Sequence, residues 1–240
     1  SRRAPHAGLH QETILDLGPW LIIGAIVGAR FLYVITFWRE QFAGKPFTEI
    51  LMVWRGGLVF YGGFIGATLG TILFARIKKI QVWNLGDVLA PSIALGYAFG
   101  RIGCLFNGCC YGSECHLPWA IHFPQDHESY PRGVHPTQIY DALWGLALVA
   151  LLARLFRRKT FDGQVFTAFL FGYGTLRFLV EFFRGDYPPN QLFFGGHLTP
   201  GQIVSFGILA AALLLWRLLP RTAPLPRANA DAPVRTAKRH

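Results

Sequence analysis

Charge is what this sequence has least of. Asp, Glu, Lys and Arg make up 15% of its 240 residues, whereas a soluble domain usually carries about 25%. Hydrophobic residues reach 52% and the mean hydropathy is +0.33, so an ordinary cytosolic domain is excluded by composition. An internal repeat is also lacking, which argues against a small-anion or lipid transporter built from two related halves. None of the cysteines forms a Cys-x-x-Cys pair, so a thiol oxidoreductase has little support. A single methionine, and none at position 1, leads us to expect that Ser1 is not the native start and that an upstream segment is missing.

What is present is a series of long apolar runs. Six are long enough to cross a bilayer, which needs roughly 20 residues per helix: 15–36, 57–75, 86–107, 136–153, 163–183 and 201–219. The fold expected is therefore an all-α integral membrane protein with six visible transmembrane helices, its outer loops forming a head domain. Residues 1–219 form that domain, and 220–240, rich in Pro, Ala and Arg, read as a disordered basic tail.

The net charge of +10 does not point to nucleic acid, because of where it lies. Alternate loops and the two ends carry most of the basic residues, including Arg2, Arg76, Lys78, Arg157, Lys159 and Arg221. Positive loops stay in the cytoplasm, so both visible termini are expected there.

Ionisable groups inside spans are costly and mark function. Arg30, Arg101, Arg177 and Glu181 stand out. Arg177 and Glu181 are four apart and share a helix face, which Tyr173 and Arg184 extend. An Arg–Glu pair alone could simply tie helices together. Three arginines in separate spans exceed what Glu181 can neutralise, and the surplus asks for an anion such as a lipid phosphate. A second pattern crowds Gly56, Gly57, Gly62, Gly63, Gly66 and Gly70 around Tyr61. Helix packing accounts for Gly66 and Gly70. The doublets suggest a ligand approaching backbone.

The third pattern is Gly100-Arg101-Ile102-Gly103-Cys104-Leu105-Phe106-Asn107-Gly108-Cys109-Cys110-Tyr111-Gly112. It resembles the Gly-Arg-x-Gly-Asn-x-x-Asn-Gly-Glu-x-x-Gly signature of the bacterial prolipoprotein diacylglyceryl transferases. Other segments are similar to that family in the same order: Gly56 to Gly63, His135-Pro136-Thr137-Gln138-Ile139-Tyr140, Tyr173 to Arg184, and Thr199-Pro200-Gly201-Gln202. The resemblance covers about 10–219 and implies a seventh span upstream.

It implies transfer of a diacylglyceryl group from phosphatidylglycerol to the lipobox cysteine of a prolipoprotein, with glycerol phosphate leaving. The catalytic residues implied are Arg101, Arg177, Glu181, Tyr61 and His135. Substrate binding falls to Arg101, Asn107, Gly112, Gly62, Gly63, Tyr173 and Arg184. No cofactor is expected and no metal ligand set is assigned; the partners are membrane lipid and the lipobox peptide. A monomer suffices, because every motif lies in one chain. The membrane implied is the bacterial cytoplasmic one, with the site facing outward.

Three positions depart from the family pattern. Cys104 stands where the signature has Asn, Cys109 where it has Glu, and Tyr61 where some members carry a histidine. A tyrosine, whose phenol ordinarily titrates near about 10, is a weak base. A relative that binds lipid or lipoprotein without turnover is the alternative these departures keep open. Cys104, Cys109, Cys110 and Cys115 lie close in sequence on the side where disulfides persist. One or two loop-pinning disulfides are the leading reading; a metal site with His116 or His122, and thiols packed as small apolar groups, are the others.

Overall fold

The computed structural model describes residues 11–185 and 198–219 as two compact units, one of residues 11–85 and one of 86–185 with 198–219. The tail expected over 220–240 lies outside the described residues. Helices appear where apolar runs were expected: α1 Gln11–Thr36, a short α2 Thr48–Leu51, α3 Phe60–Ile77, α4 Val82–Phe106, α5 Thr137–Phe156, α6 Gln164–Val180 and α7 Pro200–Leu218. Five are long and apolar enough to cross a membrane, and α3 contributes a shorter apolar stretch, Tyr61–Ile77. Among the described residues only isolated β-bridges occur outside the helices. Large apolar side chains such as Ile22, Val27 and Phe31 on α1, and Phe64 and Leu69 on α3, are exposed. A soluble bundle would turn polar faces outward there. The chain is an all-α integral membrane protein.

In the first unit α1 and α3 pack antiparallel, with Gly24 against Gly66, Gly28 against Gly62 and Trp20 against Gly70. A Cβ on Gly24 would stand 2.6 Å from the Gly66 carbonyl oxygen, and one on Gly70 would stand 2.8 Å from that of Trp20. Glycine lets the two backbones touch. The close approach at Gly62 is therefore to α1, and Gly63 also faces α1 through Ala25 and Ala29. Packing thus explains more of the glycine pattern than the sequence reading granted it.

Arg30 is corrected as well. Its Nε donates to the Ile50 carbonyl at 2.7 Å, Nη2 to Glu49 at 2.6 Å, and Nη1 to Gly56 at 2.9 Å and Gly57 at 3.1 Å. The guanidinium is spent on backbone oxygens and fixes the loop between α1 and α3. It is not part of a surplus seeking an anion.

In the second unit, successive helices again run antiparallel. Gly145 of α5 lies on Ala98 of α4, Gly172 of α6 on Leu148 of α5, and Gly174 of α6 on Leu209 of α7. One end is locked by Asp87, a fully buried carboxylate on α4 that was not among the expected charges. It accepts from Lys159 Nζ and from the backbone N–H groups of Gly163, Val165 and Phe166, all at 2.9 Å. Those amides open α6, where an anion is favoured by unpaired N–H groups and the helix dipole. Lys159 also reaches Asp162 at 2.7 Å. It is thus a structural tether and not a loop surface charge.

The segment 107–136 folds back on the ends of α5 and α6. Gly112 N donates to His135 O at 2.9 Å, His135 N to Ser113 O at 3.0 Å, and Ser113 N to Phe183 O at 2.7 Å. A Cβ at Gly112 would stand 2.6 Å from Phe183 O, so the close approach there is to this backbone crossing.

Two stability outcomes follow. Asp87→Ala leaves three buried α6 amides without their acceptor and takes from Lys159 one of its two carboxylates, and should cost about 3–5 kcal/mol, read as a lowered midpoint of unfolding in detergent. Gly66→Ile forces α1 and α3 apart, with an overpacking cost of about 1–3 kcal/mol in the same measurement. Unchanged midpoints would contradict these two packing accounts.

Candidate active site

Arg101, Asp141, Arg177, Glu181 and Arg184 converge near the end of the second unit's helices opposite Asp87. Arg101, in the last turns of α4, meets Asp141 of α5, Nε to Oδ2, at 3.1 Å. Its side chain is 14% exposed and that of Asp141 2%. The guanidinium carbon lies 5.0 Å from the Tyr97 ring centroid, one turn below. Tyr97 in turn meets Tyr173 of α6 edge-on, with centroids 5.3 Å apart. Asp141 escaped the sequence reading, although an acid within an apolar span is as costly as a buried arginine.

The second cluster is centred on Glu181. The helix expected over 163–183 ends at Val180 and tightens into a 3₁₀ turn, Glu181–Phe183. That turn points the carboxylate toward α7. Glu181 Oε1 meets Arg177 Nη2 at 2.5 Å and Arg184 Nη1 at 3.7 Å, and Oε2 accepts from the Thr199 hydroxyl. Thr199 is also the N-cap of α7. Its Oγ1 accepts from Gln202 N at 3.1 Å while the Gln202 side chain accepts from Thr199 N at 3.0 Å. A Cβ on Gly201 would stand 2.8 Å from Glu181 Oε2, so only glycine fits beneath the carboxylate. Arg177 and Arg184 both act electrostatically on Asp141, which joins the two clusters.

Three guanidiniums, Arg101, Arg177 and Arg184, here face two carboxylates, Asp141 and Glu181. Among the expected site residues, the structure gathers Arg101, Tyr173, Arg177, Glu181 and Arg184. Gly112 and His135 lie at the adjoining backbone crossing. Tyr61, with Gly62 and Gly63, belongs to the first unit, and its ring is 63% exposed.

His135 is half-buried between two aromatic rings. Its Nδ1 lies 3.3 Å from the Tyr140 hydroxyl, which accepts from Trp119 Nε1 at 2.9 Å. The Phe183 ring is 5.2 Å away. Asn107 follows the end of α4 and is exposed.

The four cysteines are unbridged, so the expected disulfides do not pin the loop. The pins are side-chain hydrogen bonds from the start of α5: Thr137 Oγ1 to Cys110 O at 2.6 Å and Gln138 Nε2 to Cys109 O at 2.8 Å. Burial pushes the Cys109 thiol up. Hydrogen bonds from Asn107 and the neighbouring thiols outweigh that and bring it below its ordinary value.

Known proteins are similar to the chain in sequence. The family model for prolipoprotein diacylglyceryl transferase matches residues 1–218. A phosphatidylglycerol–prolipoprotein diacylglyceryl transferase of Synechococcus elongatus is 39% identical over 224 residues, covering 89% of this chain and 75% of the relative. Proteins of the same name from Bordetella avium and Rhodospirillum rubrum are 38% and 36% identical, covering 92% and 94% of this chain and 82% of each relative. With the signature arginine, the Arg–Glu turn and the capped final helix all in place, the chain belongs to the prolipoprotein diacylglyceryl transferase family.

Proposed function

We propose that this protein transfers the diacylglyceryl group of phosphatidylglycerol to the cysteine thiol of a prolipoprotein lipobox. The observation that carries the reading is the gathering of Arg101, Arg177 and Arg184 around Asp141 and Glu181 at the ends of apolar helices, in a chain of this family. A lipid phosphate suits such a cluster, because arginine grips it through two N–H groups at once.

The chemistry is a displacement at the glyceryl carbon. The thiolate sulfur forms the C–S bond, the C–O bond to phosphate breaks, and glycerol phosphate leaves with the electron pair. Charge grows on the departing phosphate, where Arg101 and Arg177 receive it. Asp141 and Glu181 keep those two guanidiniums aimed, since a buried arginine without a carboxylate would turn toward whatever oxygen it could reach. Arg184 and Tyr173 border the phosphate, and Asn107 hydrogen-bonds the glycerol head group. The attacking thiol must lose its proton. We assign that proton to His135 rather than Tyr61: with Nδ1–H donated to the Tyr140 hydroxyl, Nε2 is left to accept. Both visible termini and the basic loops lie in the cytoplasm, and the site opens to the outer leaflet of a bacterial cytoplasmic membrane. One copy of the chain carries the whole reaction.

The test is an assay in detergent with phosphatidylglycerol and a lipobox peptide. Wild type should release glycerol phosphate only when the peptide retains its cysteine. Arg101→Ala and Arg177→Ala should each lose about 10²–10³-fold in rate, and Glu181→Gln should lose less than Arg177→Ala. No release by wild type, or full activity in Arg177→Ala, would overturn the reading. His135→Asn should lose about 10²–10⁴-fold in kcat, and an undiminished kcat would remove His135 as the base.

A further inference from the structure

The three cysteines Cys104, Cys109 and Cys110 are not used by the proposed reaction, whose thiol comes from the substrate. Their arrangement is nonetheless specific. Cys104 sits in the last turn of α4, and the chain then doubles back. Gly108 has φ +72°, and Cys110 itself has φ +62°, a left-handed conformation that a side chain adopts at a cost. Cys109 N closes the turn on Cys104 O at 3.1 Å. The result places all three Sγ atoms within 4.8 Å of one another. Three sulfurs about 2.3 Å from one shared ion stand roughly 4 Å apart, so small side-chain rotations would close the set.

The turn is also built from outside. Thr137 and Gln138 donate to the carbonyls of Cys110 and Cys109, and both donors are buried. Outer hydrogen bonds of this kind hold metal ligands in place. Each of the three thiols is partly exposed, so an ion can reach it, whereas Cys115 is buried and lies outside the group. Among the described residues no His, Asp or Glu completes a fourth corner with them. His127, nearby in the fold, is committed to Gly108 O at 2.8 Å and to the Ser129 hydroxyl at 2.8 Å.

We propose that Cys104, Cys109 and Cys110 form a three-thiolate site for a thiophilic d10 metal ion, the class of zinc(II) and copper(I), with one coordination position left open. Thiolate sulfur selects these ions over the hard cations that prefer oxygen. Binding forms three metal–sulfur bonds and releases the thiol protons to water. The ion would sit within electrostatic reach of Arg101, which already interacts with Cys104 and Cys110, and so beside the candidate active site. The inference stands whether or not the chain turns over lipid, and its readout is the metal.

The experiment uses the full chain in detergent, reduced and stripped of metal without oxygen. It is titrated with zinc(II) in one arm and copper(I) in the other, against a competing chelator. One equivalent bound in either arm is expected, with the arm that wins naming the ion. The bound ion should shield Cys104, Cys109 and Cys110 from alkylation but leave Cys115 unaffected, as read by peptide mass spectrometry on the wild-type protein. Cys110→Ser should weaken binding at least about tenfold, and Cys115→Ser should leave it unchanged. Failure of both ions to bind, or binding that shields none of the three thiols, would overturn the proposal. So would equal affinity in Cys110→Ser, since the ion would then be held elsewhere.

Discussion

One oxygen of the Glu181 carboxylate takes Arg177 and Arg184 while the other takes the hydroxyl that caps α7. Nothing else among the described residues joins the end of α6, the following turn and the start of α7 through a single group. Burying that carboxylate is expensive, and it is worthwhile only because both of its oxygens have a cation or donor facing them. Gly201 is required beneath it, and Thr199 serves it and the helix cap at once. Removing the carboxylate would leave two buried arginines opposing each other, with the cap hydroxyl turned loose. The orientation of Arg177 is thus decided by the same contact that fixes how the last helix begins.

The second pair, Arg101 with Asp141, works by the same logic between α4 and α5. Low dielectric makes each pairing strong and each unpaired charge intolerable. The consequence is a set of cations that is preorganised. Two carboxylates, Asp141 and Glu181, hold three guanidiniums in place. Arg30 shows the contrasting solution, in which four neutral carbonyl oxygens accept from all three nitrogens of a buried arginine and organise a loop.

Much of this was legible in the residues. Long apolar runs gave the helices within a few positions, because a bilayer sets a minimum length and leaves few charges to interrupt it. The i, i+4 relation of Arg177 and Glu181 was visible, as were the family motifs. Asp141 was visible too, lying well inside an apolar run, yet positive residues drew the weight. Its pairing with Arg101 was not legible, since the two are separated by the whole of the 107–136 segment and meet only when α4 and α5 dock. Asp87 likewise acquires meaning only beside the α6 amides. Gly62 was misweighted for the same reason: a stripe of glycines on one helix does not reveal the matching stripe, Gly24 and Gly28, on its neighbour. Sequence shows which groups are costly, and docking decides what offsets the cost.

The anchoring of the turn after α4 carries one more implication. Thr137 and Gln138 grip the carbonyl oxygens of residues 110 and 109, and a carbonyl is the same whatever side chain its residue carries. The path of the chain there is consequently indifferent to the chemistry it displays. Glutamate in place of cysteine at 109 would keep the carbonyl that Gln138 grips. A position held in this way can acquire new chemistry without any change to the frame that supports it.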